Sequence, residues 1–133
     1  MALRLTAATG GELTILNVLH SPASMFVAGG YVTKETWNLI EAELRAEASQ
    51  QMEALVKEAV NAGVRATSRF ISAGTPAEEI VSAAEQGKTD ILVLGTHSRT
   101  GVMKALLGSV ASRVVATASC PVLTVRMPEE TRR

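Results

Sequence analysis

A parallel, doubly wound α/β sheet is the fold this sequence predicts, and three observations predict it. Ile91, Leu92, Val93 and Leu94 form an unbroken apolar run that stops at Gly95. A strand apolar on both faces is what a parallel sheet covered by helices requires. Strand-like runs alternate with stretches of helical periodicity along the rest of the chain. Glycines stand at Gly95 and at Gly108-Ser109, where strand ends meet helix starts, and such sheets hold their ligands at those junctions.

The elements follow in order. Glu12 to Leu19 reads as the first strand. His20 to Thr33 is irregular, with Ser21-Pro22, a Gly29-Gly30 pair and the apolar Met25, Phe26, Val27 and Tyr31. It suits either a loop folded onto the domain or a lid or partner surface. Between Lys34 and Asn61, the residues Trp37, Ile40, Leu44, Ala48, Met52, Leu55 and Ala59 recur at helical steps, the spacing of one buried stripe. Gly63 supplies its stop. Val64 to Ile71 alternates Val64, Ala66, Ser68 and Phe70 with Arg65, Thr67 and Arg69, a pattern for a strand near an edge. Thr75-Pro76-Ala77-Glu78 has the form of a capping box with proline at the first helical position. A short helix carrying Ile80, Val81 and Ala84 is expected to start there and end at Gly87. Asp90 to Gly95 is the next strand, Val110 to Ser119 the last helix, and Pro121 to Arg126 the last strand. Proline at that strand's first position is compatible with an edge, which could pair with a second copy. Pro128 to Arg133 reads as a charged, frayed tail.

At 133 residues the chain is predicted to form one domain, burying about two-thirds of the surface its unfolded form would expose. Thirteen Lys plus Arg balance thirteen Asp plus Glu, so no global field draws nucleic acid or an anionic membrane. The longest apolar run falls well short of the roughly 18 residues a membrane helix needs, and the amino terminus lacks the pattern of a leader. The expectation is a soluble, cytoplasmic protein that binds neither nucleic acid nor membrane. Cys120, the one cysteine, cannot form an internal disulfide and suits a small buried filler better than a reactive thiol. Neither His pair nor Cys-His spacing suggests a metal site.

Taken together, Gly11 to Val18, Gly74-Thr75-Pro76-Ala77 with Glu79-Ile80, Asp90 to His97, Arg99-Thr100-Gly101 through Leu107-Gly108-Ser109-Val110, and Cys120 to Val125 resemble the universal stress protein family. The match runs from Ala2 to about Arg126. The resemblance implies an adenine-nucleotide alpha hydrolase-like, three-layer sandwich. Relative to the family, the usual first strand and its aspartate have no counterpart, because Met1 to Gly11 matches only the end of the first family helix. The family's strand order is 3-2-1-4-5, so the strand without a counterpart is the central one. Its neighbours must then be separated or pair directly, and unpaired backbone groups in a buried sheet are costly.

The resemblance also implies a nucleotide signature: glycine, two residues, glycine, nine residues, glycine, then Ser or Thr. Gly95 and Gly108-Ser109 match it, whereas Ser98 stands at the middle glycine. Glycine there tolerates positive φ and lets backbone N–H groups close on phosphate; serine would be strained in that conformation yet could offer its hydroxyl. The implied site is Gly95, Thr96, His97, Ser98 and Arg99 after the strand, Gly108, Ser109, Val110 and Ala111 at the helix start, and Val18 against the base. Ser109 suits either ligand contact or a plain helix N-cap, and Arg99 either a phosphate partner or a solvated loop residue. His97 has no recognisable partner that would make it an acid or base.

Three functions follow in order of support. The first is a non-enzymatic stress protein that binds ATP or a related adenine nucleotide, with Mg²⁺ a possible companion, and acts as a homodimer through Pro121 to Arg126 toward protein partners. The second is an interaction module of the same family without nucleotide, which Ser98 favours. The third is a weak nucleotide-hydrolysing enzyme, with no candidate base in a recognisable motif.

Overall fold

The computed structural model describes residues 1–19, 33–71, 74–96 and 107–126. Its elements are α1 (Ala2–Thr9), β1 (Glu12–Val18), α2 (Lys34–Asn61), β2 (Arg65–Ile71), α3 (Pro76–Gln86), β3 (Leu92–Gly95), α4 (Ser109–Thr117) and β4 (Val122–Val125). They fall into two compact units, Ala2–Thr75 and Pro76–Arg133. Among the described residues, β1 pairs in parallel with β2, and β3 in parallel with β4, as two two-stranded sheets. The parallel α/β class is thus the expected one. Among the described residues each strand is paired within its own unit.

In the first unit, α2 crosses from β1 to β2. Thr33 caps it, its hydroxyl accepting from the Thr36 N–H at 3.2 Å, which satisfies one of the donors a helix start leaves orphaned. The helix ends as Gly63 turns left-handed, at φ 80°, and the Val64 N–H returns to the Ala59 carbonyl at 2.9 Å. That closure aims the chain straight into β2.

Met52, Ala59 and Val64 are buried. The predicted stripe holds at Met52 and Ala59, whereas Leu44 and Leu55 are exposed and Val56 is half-buried instead. Leu55 and Val56 lie about 50° to either side of the Met52–Ala59 line, so the lie of the helix on its sheet chooses between them. Arg45 spreads its guanidinium over the Phe70 ring, 5.0 Å from the centroid, covering an aromatic face that a polar strand would otherwise leave wet. Register is marked on the outer face by facing pairs. Glu12 meets Arg65 at 2.7 Å, and the Thr14 and Thr67 hydroxyls lie 3.5 Å apart.

In the second unit, Pro76 occupies the first position of α3, as the capping-box pattern predicts. The core is built from Ala77 and Ala84 of α3 with Ala111 and Val114 of α4, all buried; small residues let the two helices approach closely. Arg113 and Glu78 join them on the surface at 3.0 Å, an exposed pair worth little in water. Gly87 does follow the last residue of α3, but the left-handed residue is Lys88, at φ 48°. Cys120 is half-buried rather than buried. The irregular segment expected over 20–33 lies outside the described residues except for Thr33, and the tail over 127–133 lies wholly outside them.

Candidate functional site

Two chain turns meet in the second unit. The first follows β3. Leu92 donates its N–H to the Pro121 carbonyl at 2.9 Å, and Thr96 donates to the Val125 carbonyl at 3.1 Å. β3 is therefore held against β4 over its whole length, and the chain leaves the sheet at Gly95-Thr96.

The second turn opens α4. Gly108, not Ser109, is the N-cap, and no side chain caps the helix. Ser109 thus forgoes the plain N-cap role and becomes the first helical residue. The first intrahelical bond runs from the Ser112 N–H to the Gly108 carbonyl at 2.8 Å, so the N–H groups of Ser109, Val110 and Ala111 precede any intrahelical acceptor. The first turn carries no acidic residue, and the positive end of the helix dipole is not offset locally. Ala111 is buried and anchors the turn.

These turns converge. A Cβ built at Gly108 would meet the Thr96 carbonyl oxygen at 3.7 Å, an ordinary contact, and one built at Gly95 would meet nothing within 4 Å. Gly108 sits at φ −56° and ψ 156°, backbone that any residue adopts. Neither glycine is demanded by local backbone or packing among the described residues. Gly108 brings the uncapped N–H groups of the α4 start beside Thr96 at the end of β3, while Gly95 stands in open space; uncapped helix N–H groups are the donors an anion requires.

Gly95, Thr96, Gly108, Ser109, Val110 and Ala111 are thereby gathered at one end of β3 and α4. Val18 ends β1 in the other unit, half-buried. His97, Ser98 and Arg99 lie outside the described residues. Sequence reasoning passed over Ser112, whose hydroxyl donates to the Leu107 carbonyl at 3.2 Å. The signal available for it was a hydroxyl one turn into a helix that opens on Gly-Ser. Among the described residues no cluster of His, Cys, Asp or Glu could hold a metal ion, and no helix is long and apolar enough to cross a membrane.

The model of the universal stress protein family matches residues 1–126. The chain belongs to that family. Universal stress protein MJ0531 of Methanocaldococcus jannaschii is 40% identical over 101 residues, 76% of this chain and 59% of the relative. The match to MJ0577 of the same organism takes in 57% of that protein, so this chain spans somewhat less than two-thirds of these curated relatives. The solved structure of MJ0577 superposes with a TM-score of 0.78 at 30% identity, covering 96% of this chain and 87% of that one. This universal stress protein also shares its fold with a member from Arabidopsis thaliana solved with AMP bound, at 22% identity and TM-score 0.65, over 98% of this chain and 78% of the other. Other members of that fold were solved in complex with dAMP and with cAMP.

Proposed function

We propose that this universal stress protein binds an adenine nucleotide, ATP or AMP, at the junction of β3 and α4. The observation that carries the reading is the approach of the α4 N-cap to the end of β3, where a Cβ at Gly108 would lie 3.7 Å from the Thr96 carbonyl oxygen and the first helix N–H groups stand uncapped. The AMP, dAMP and cAMP complexes of proteins sharing the fold support the choice of base. In this reading phosphate oxygens accept from the α4 amino terminus and Ser109 donates its hydroxyl. The family signature adds His97, Ser98 and Arg99 to the residues expected to face the nucleotide. Mg²⁺, where present, arrives on the phosphates.

The role is regulatory and non-enzymatic: nucleotide stabilises one conformation, which a homodimer formed along Pro121 to Arg126 presents to protein partners in the stress response. Ser98, where the signature has glycine, favours a second reading in which the same fold acts as an interaction module without nucleotide.

A single preparation separates the two. Protein denatured after purification releases adenine nucleotide detectable by mass spectrometry, and AMP or ATP at about a hundred times Kd adds about 2.7 kcal/mol of stability, visible as a rise in Tm. Gly95→Ala fills the open space and abolishes that rise while changing the ligand-free Tm little. Release of nothing, together with an unmoved Tm at millimolar AMP and ATP, leaves the interaction module standing. ATP turnover that is lost in His97→Ala would instead make the protein an enzyme.

A further inference from the structure

We propose that Ser112 is a positioning residue for this site, holding the Leu107–Gly108 peptide in the orientation that presents the Gly108 N–H to an anion; this rests on the nucleotide reading above. Helical side chains lean back toward the amino terminus. From the fourth position of α4, the Ser112 hydroxyl reaches back over the first turn and donates to the Leu107 carbonyl at 3.2 Å. The Ser112 backbone N–H meanwhile donates to the next carbonyl, that of Gly108, at 2.8 Å. One residue thus fastens two successive carbonyls on the helix side of the turn.

Peptide planarity gives the consequence. The Leu107 carbonyl and the Gly108 N–H belong to one trans peptide and point in opposite directions. With the carbonyl tied toward the helix, the N–H faces away from it, and it donates to no described residue. A flip of this peptide would exchange the two groups, turning a carbonyl oxygen outward where an anion should sit. Glycine at 108 makes such a flip sterically easy, so an anchor is required. Ser112 supplies it from an exposed position, outside the set of residues that would touch the ligand.

The test compares Ser112→Ala with Ser112→Thr, which keeps the hydroxyl. Without nucleotide, the amide resonances of Leu107, Gly108 and Ser109 in ¹H–¹⁵N spectra should shift in Ser112→Ala and return toward wild type in Ser112→Thr. The ligand-free Tm should hold or rise in Ser112→Ala, since alanine is the better helix former. With AMP as the probe, Kd should weaken about fivefold in Ser112→Ala, the weight of one hydrogen bond, and recover in Ser112→Thr.

Unshifted amides in Ser112→Ala overturn the anchoring. Shifted amides with an unchanged Kd for AMP overturn the positioning role, as does a fall in ligand-free Tm that accounts for the loss of binding. A wild-type protein that binds no AMP removes the nucleotide reading, and the ligand-free spectra still decide whether Ser112 holds the peptide.

Discussion

Lys88 carries a left-handed backbone twist one residue past Gly87, where the helix is expected to end. Its φ of 48° places an L side chain in the left-handed region, which costs about 1 to 2 kcal/mol for a residue with a Cβ. The hydrogen bonds show why the twist falls one residue late. Gly87 donates to the Ala83 carbonyl at 3.0 Å as though still helical, Lys88 to Glu85 at 3.1 Å, and Thr89 reaches back to Ala84 at 2.9 Å. A methyl at Gly87 would also press on the Ala83 carbonyl at 3.2 Å, so position 87 uses its glycine for clearance and position 88 bears the strain. Lys88→Gly should therefore raise stability by about 0.5 to 1 kcal/mol, read as a higher urea midpoint with an unchanged m-value. A lower midpoint would show that Lys88 is relaxed as it stands. Gly95 and Gly108 present the opposite case, with ordinary room and no local demand for glycine among the described residues.

Strand edges hold the corresponding lesson one level up. The N–H groups of Leu92 and Thr96 both point to β4, so by the two-residue repeat of a strand that of Leu94 does too, while those of Val93 and Gly95 point to the other edge. Among the described residues that edge of β3 has no strand beside it, and neither has the corresponding edge of β1. In β1 the Leu19 N–H donates to Ile71 at 2.7 Å, which by the same repeat turns the N–H groups of Asn17 and Ile15 to β2 and those of Val18 and Leu16 outward. Amide hydrogen exchange should alternate accordingly, with Val93 exchanging at least about tenfold faster than Leu94, and Leu16 than Ile15. Equal protection of the alternate amides would mean that the free edge is covered by another strand in solution. The long helix α2 fits the same account. Its 28 residues run about 42 Å, against about 23 Å for the seven residues of β2, so its apolar stripe cannot be covered along its whole length by its own sheet.

For the molecule as a whole, the balanced charge of the sequence leaves self-association unopposed by net repulsion, and the proposed homodimer adds its second copy at the outer edge of β4. Pro121 and Val125 turn their carbonyls to β3, so the backbone groups of Val122 and Thr124 face the outer edge. In the proposed homodimer, Thr124→Pro removes an edge N–H without touching a β3–β4 bond. It should convert the protein to a monomer by analytical ultracentrifugation at concentrations where the wild type is dimeric. A Thr124→Pro protein that stays dimeric would place the interface elsewhere.

Local chemistry was legible without coordinates wherever it depends on neighbours in the chain. The span of α2, the start of α3 at Pro76 and the glycine before α4 follow from periodicity and from proline and glycine placement, because each is governed by contacts a few residues apart, and the alternation of such local patterns is what marks the parallel α/β class. Other features required the packed chain. Whether Leu55 or Val56 turns inward depends on how α2 lies across β1 and β2, two positions nearly equivalent on the helix wheel. Whether Ser109 caps α4 or leaves that to Gly108 depends on the path by which the preceding turn enters. That β1 pairs with β2 and β3 with β4 depends on which strands find each other in space. Spacing along a chain sets which groups can face one way, but only the approach of distant segments sets what they face.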